Sequence, residues 1–330
     1  MVRFHCCFIG SVWLLHFFAG SFPPILALSD SPSAPESKSI ELIRDGHFQQ
    51  GFQVMAPPMG KKVVEASIPG IEPGAGESVW QLDQWNSRFS LATATRVALP
   101  GGGFGYANWA KEVIVGKPGT DQADLTLRIN SPIEYDGKFR VSGQPWPHLL
   151  VEQAIESSPN LDETSKVIVH IEARLVEGKR TTGPGYSRDL HCGQVPFVLT
   201  IQNRNRESKG FGDFLWFIVP LYDDRDRIVP PYVAADFADP SAKLIFNPGG
   251  AAYTAESLHD GRWVTIDKDL RPLILDALKA GWEKGYLKDS RDIRDYRIST
   301  TNLGWEAPGL FAGAIQIRNL SLKAVLKENP

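Results

Sequence analysis

Residues 167–176 read VIVHIEARLV, and their alternation is the strongest structural signal in the chain. Val167, Val169, Ile171, Ala173 and Leu175 fall on one side. Ile168, His170, Glu172, Arg174 and Val176 fall on the other. A period of two, apolar on one face and mainly polar on the other, predicts a half-buried β-strand. On its C-terminal side, residues 196–203 (PFVLTIQN) and 214–222 (FLWFIVPLY) are two further strong strand runs. The segment between them holds Asn205, Gly210 and Gly212, which suits a long hairpin loop. Shorter strand candidates are 125–129, 148–153, 243–246, 262–266 and 296–300. Residues 314–322 (AIQIRNLSL) give a last strand with Asn319 at a bulge.

One segment breaks this pattern. Leu270, Leu273, Ile274, Ala277, Leu278, Gly281 and Trp282 recur at helical spacing and predict one amphipathic helix. Asp269 suits its N-terminus, Pro272 its first turn and Gly285 its end. Many strands with turn signals and a single packed helix near the C-terminus predict a mainly β protein. The expected architecture is an antiparallel β-sandwich of jelly-roll type.

The chain has 330 residues, 42% of them hydrophobic and 22% charged, which is enough apolar content for a sizeable core. Its formal charge of −3 gives no bulk basic field, so nucleic acid is not an expected partner. Residues 1–29 read as an export leader: Arg3, the apolar run FIGSVWLLHFF, then Pro23-Pro24 and a small-residue cleavage pattern at Ala27-Leu28-Ser29. The apolar run is short for a membrane span, so no stable span is expected after cleavage. The expected location is secreted or otherwise extracytoplasmic. Residues 30–39 (DSPSAPESKS) form a Ser/Pro-rich linker, 40–326 a single large β-sandwich domain, and 327–330 a tail. After cleavage Cys192 is the one remaining cysteine, so no internal disulfide is expected, and a buried thiol is its plain reading.

Familiar chemical motifs are absent. Gly101-Gly102-Gly103-Phe104-Gly105 is followed by no Lys-Ser/Thr and no helix, which argues against a phosphate loop. There is no G-x-S-x-G elbow and no H-E-x-x-H pair, and the histidines are scattered. No cofactor and no metal are expected. Residues 222–227 (YDDRDR) interleave carboxylates with arginines, which fits a turn with local ion pairs better than a calcium loop.

Two sets of residues are candidates for function. His170, Glu172 and Arg174 project from one face of the 167–176 strand, two residues apart. Glu172 could act as acid or base, His170 could shuttle a proton, and Arg174 could neutralise a carboxylate. The plain alternative is a solvated face with cross-strand pairs. Gln202 and Arg204 would extend this surface if the sheet order allows. The second set is aromatic: Trp80, Trp85, Trp109, Trp146 and Trp305 sit in polar or Pro/Gly-rich settings, where flat rings stack on sugar faces or fill sandwich ends. Trp80, Trp85 and Trp146 are taken as the rim of a ligand site. Trp216, alternating with Ile218, reads as structural.

Residues 42–52 (LIRDGHFQQGF) and 315–324 (IQIRNLSLKA) resemble the first and last strands of galactose-binding-like jelly-roll modules. The length of the chain is closer to the larger concanavalin-like jelly rolls, which include polysaccharide hydrolases and lyases. No E-x-D-x-x-E or E-x-D-x-E string is present. The strings nearest to the R-x-E-x-R and Q-I-H strands of alginate lyases are His170-x-Glu172-x-Arg174 and Gln316-Ile317-Arg318. The resemblance implies a carbohydrate or polysaccharide partner at the cell exterior. Recognition is the leading expectation. A polysaccharide hydrolase or lyase using Glu172 or His170 on the same face is the alternative. A structural envelope or matrix protein without a small ligand is the third reading. Asn319-Leu320-Ser321 is a glycosylation sequon.

Overall fold

The computed structural model describes residues 38–59, 62–71, 76–236 and 242–328. The expected leader at 1–29, residues 30–37 of the linker and the last two residues of the tail lie outside them. Residues 167–176 lie in a strand of seventeen residues, Thr164–Arg180 (β10). Its Val167, Val169, Ile171 and Ala173 are at most 2% exposed, while His170, Glu172 and Arg174 stand half-buried on the opposite face. Each large aliphatic side chain buried this way contributes about 1.5–3 kcal/mol.

Two sheets form the sandwich. The first runs in the order Val264–Asp269 (β15), β10, Phe311–Leu326 (β17), Leu125–Asn130 (β8), Lys111–Val115 (β7), Phe104–Ala107 (β6) and Arg96–Ala98 (β5). Ser39–Glu41 (β1) also pairs with β17. The second runs Tyr232–Asp236 (β13), Lys243–Asn247 (β14), Phe214–Asp223 (β12), Gln194–Asn203 (β11), Tyr296–Glu306 (β16), His148–Ala154 (β9), Trp80–Asp83 (β4), Gly51–Met55 (β2) and Val64–Pro69 (β3). Phe197, Leu199, Ile201, Phe217, Val219 and Trp305 of the second sheet are fully buried against the inner face of the first.

Among the described residues pairing is antiparallel except at two places, β12 with β14 and β2 with β4, so the second sheet is mixed. Beyond β12 the chain lays β13 one place out, and β14 returns into the gap, which forces it parallel to β12. Along β10 and β17 the register slips between His170 and Glu172, where Asn319 takes φ 56°. This is the bulge expected there, and Asn tolerates the left-handed conformation better than most residues.

A single helical turn, Ser131–Glu134 (α1), follows β8. The predicted amphipathic helix is Arg271–Glu283 (α2). Asp269 Oδ1 accepts the backbone N–H of Arg271 at 3.0 Å, and Gly285 at φ 83° ends the helix. Helix α2 follows β15 of the first sheet, and its Gly281 faces Leu215 and Leu244 of the second, so it closes one end of the sandwich. Two expected boundaries move. The strand anticipated at 262–266 is Val264–Asp269, and the one at 296–300 continues to Glu306. Residues 42–50 are turns rather than the first strand. There the Asp45 carboxylate accepts the N–H groups of Gln49 and Gln50, giving the backbone an alternative to a ladder.

Candidate functional site

The sequence candidates divide between the two sheets. His170, Glu172 and Arg174 share the outer face of the first sheet, each with a cross-strand partner. His170 Nδ1 lies 3.0 Å from Asp267 Oδ2. Glu172 accepts from Arg318 at 2.6 and 2.8 Å and from Asn319 Nδ2 at 2.6 Å. Arg174 donates to Gln316, and the guanidinium groups of Arg174 and Arg318 flank the Trp263 ring at 4.9 and 4.2 Å. The two strings that resemble lyase strands therefore do lie side by side, on β10 and β17. Burial pushes the Glu172 carboxyl up, but the hydrogen bonds from Asn319 and Arg318 outweigh it and hold the group below its ordinary range.

Gln202 and Arg204 do not extend this surface. Gln202 lies near the end of β11 in the second sheet and donates to the Gly212 carbonyl at 2.9 Å, and Arg204 lies just beyond the strand. Trp80 is not at a rim: it points into the core at 1% exposure and donates to the Asp45 carbonyl, because it shares the inward parity of Leu82. Trp305 is likewise core, donating to the Leu127 carbonyl. Trp85 and Trp146 do share one place, packed against His148 with ring centroids 5.5 and 5.7 Å away. Cys192 is buried, and burial pushes its thiol far above the usual range. The turn at 222–227 is a web of ion pairs, Arg225 with Asp223 at 2.6 Å and Arg188 with Asp226 at 2.6 Å, although Asp223 and Asp224 are more buried than a solvated turn requires.

The outer face of the second sheet carries a depression of about 270 Å³. It is built by register. Gln81 of β4 stands opposite Glu152 of β9, and Asp83 stands opposite Leu150. Gln81, Asp83 and Glu152 therefore share one face, with the two carboxyls as diagonal neighbours on adjacent strands. Across the sheet Glu152 faces Asn302 of β16, and Thr300 faces Thr200 of β11, which faces Trp216 of β12. Trp85, Trp216 and Phe214 supply rings, while Gln81, Gln202 and Thr200 supply hydroxyl and amide groups.

The two carboxyls have different surroundings. Asp83 is 2% exposed, and its Oδ2 has no hydrogen-bond partner. Burial first, and the nearby Glu152 second, push its pKa up to about 7. Burial also raises Glu152, but the Lys62 ammonium, 3.7 Å from its Oε1, pulls the other way. Asp83 is thus poised to hold a proton near neutral pH, as a general acid must. Among the described residues no cluster of three or more His, Cys, Asp or Glu is arranged to hold a metal ion. No described helix is long and apolar enough to cross a membrane.

Sequence reasoning missed Asp83 and Glu152. The first was legible, since Trp80-Gln81-Leu82-Asp83-Gln84-Trp85 alternates with Gln81, Asp83 and Trp85 outward. The second was hidden in His148-Leu149-Leu150-Val151-Glu152, where the outward Leu150 breaks the pattern.

No family model and no curated protein matches the chain. Solved structures that are similar to it include an endoglucanase from Rhodothermus marinus (13% identity, 69% of this chain and 95% of that one, TM-score 0.36). A family 12 xyloglucanase from Bacillus licheniformis matches at 9% identity, over 69% of this chain and 96% of that one, with TM-score 0.38. A family 11 xylanase from Neocallimastix patriciarum matches at 8% identity, over 69% and 94%, with TM-score 0.35.

Proposed function

We propose that this protein is an exported glycan hydrolase working in the groove of the second sheet. The observation that carries the reading is the Asp83–Glu152 pair: a buried and a half-buried carboxyl on one face of adjacent strands, the first with its pKa pushed up to about 7 and the second 3.7 Å from the Lys62 ammonium. Protonated Asp83 gives its proton to the glycosidic oxygen as that bond breaks. The Glu152 carboxylate, with the Lys62 ammonium 3.7 Å away, forms a bond to the anomeric carbon. Water then displaces Glu152 while the Asp83 carboxylate takes the water's proton, which restores both groups. Trp85 and Trp216 offer apolar rings to sugar C–H groups, and the Thr200–Thr300 hydroxyl pair offers polar groups to the sugar hydroxyls.

The test is a panel of soluble polysaccharides (a β-glucan, a xylan, a glucomannan and alginate), read for retention and for newly released chain ends. New reducing ends that fall by about a thousandfold in Glu152→Gln support the hydrolase. In Trp216→Ala a loss of about tenfold in affinity is expected. Retention without new ends would leave the groove as a recognition site, the reading that its rings support by themselves. Unsaturated ends would indicate a lyase, and activity that survives Glu152→Gln would overturn the assignment.

A further inference from the structure

We infer that the substrate is a chain of several sugars, because the same sheet face carries a second, smaller depression of about 110 Å³ along the strands from the carboxyl pair. The inference rests on the glycan reading above and names where the far part of the chain sits. Asn302, which faces Glu152, and Glu306 lie on the same face of β16 four residues apart, about 13 Å at the rise of a strand. At that level Gln194 of β11 pairs with Glu306 and donates to its Oε2 at 2.9 Å.

The depression there has an apolar floor, Ile218 and Pro220 of β12, and a polar rim of Gln194, Glu306, Asn247 and Tyr232. Tyr232 faces Asn247 across β13 and β14, and it is 42% exposed on an edge strand. The neighbouring charged group is accounted for, since Asp223 is held by Arg225 through two hydrogen bonds. A flat apolar floor with a ring at the edge and a mixed rim of amide, phenol and carboxylate fits the two kinds of surface of a sugar: C–H faces and hydroxyl edges. Between the two depressions Val198, paired with both Asn302 and Ile218, gives an apolar surface.

The experiment uses the Glu152→Gln protein, so that ligands survive, with oligosaccharides of two to eight units prepared from whichever panel polysaccharide is retained. Affinity is measured by calorimetry. Affinity should rise with length. Tyr232→Ala should weaken the longest oligosaccharide about tenfold while leaving the disaccharide unchanged, and Gln194→Ala should do the same more weakly. Unchanged affinity at every length in both variants, or an equal loss at every length, overturns the second site while the Asp83–Glu152 assignment stands on its own hydrolysis test. Length-dependent loss without any hydrolysis by the unmodified protein keeps the second site and removes the catalytic reading. Failure to retain any of the four polysaccharides overturns both.

Discussion

Asp83 and Glu152 are diagonal neighbours on adjacent antiparallel strands, Asp83 opposite Leu150 and Glu152 opposite Gln81. Diagonal neighbours have Cα atoms about 7–8 Å apart with side chains on the same face. A carboxyl pair about 5–5.5 Å apart lets the second group attack the sugar directly, which is the course proposed above for Glu152. Hydrolysis should therefore retain the anomeric configuration. Proton NMR of the first product formed checks this, and an inverted product would mean that water, not Glu152, makes the first attack.

The raised Asp83 pKa gives a pH dependence with a definite sign. The folded state keeps the Asp83 proton up to about pH 7, whereas the unfolded chain releases it near 3.8. The folded form therefore binds more protons between those values, and this group makes stability fall as pH rises through that window. Asp83→Asn should be more stable than the parent at pH 8, by a few kcal/mol at most (roughly 1.4 for each tenfold difference in proton affinity between folded and unfolded chain), and little different at pH 4. Urea unfolding at the two pH values measures it. In the active protein, turnover should decline as pH rises through about 7, where the acid loses its proton.

On the other sheet Glu172 is held by Arg318 and Asn319. Glu172→Gln should cost stability, about 1–3 kcal/mol, because Arg318 loses a charged partner. It should leave glycan affinity and turnover unchanged, since this face is remote from the groove. Parallel denaturation and binding assays separate the two effects. A loss of affinity without loss of stability would return attention to His170, Glu172 and Arg174 as a ligand surface.

Lys111 is 2% exposed, and its ammonium donates to the Ser87 hydroxyl, which in turn donates to the buried Glu134 carboxylate. This cluster links β7 of the first sheet to the loop after β4 that bears Trp85. Lys111→Ala leaves Glu134 buried without its counter-charge and should destabilise the fold by about 3–5 kcal/mol. Thermal unfolding of the variant checks it. A shift near zero would mean that Ser87 and the Arg88 N–H, 2.8 Å from Glu134, suffice to satisfy that carboxylate.

Much of the architecture is written locally in the chain. The alternation at 167–176 specifies a strand with a dry face and a wet face, the spacing from Leu270 specifies one helix, and Asn319 marks a bulge. Side-chain direction follows from backbone period within a few residues, so these features need no knowledge of the rest of the molecule. Which wet faces meet is a matter of long-range pairing. His170 and Gln202 both point outward on consecutive strong strands, yet β10 and β11 enter different sheets, and nothing within either segment states that choice. Trp80 and Trp85 are equally aromatic in sequence, and their parity against β9 buries one and leaves the other in the groove. The groove itself exists only through register, because Asp83 and Glu152 are far apart in the chain and a one-residue slip of β4 would turn Asp83 into the core.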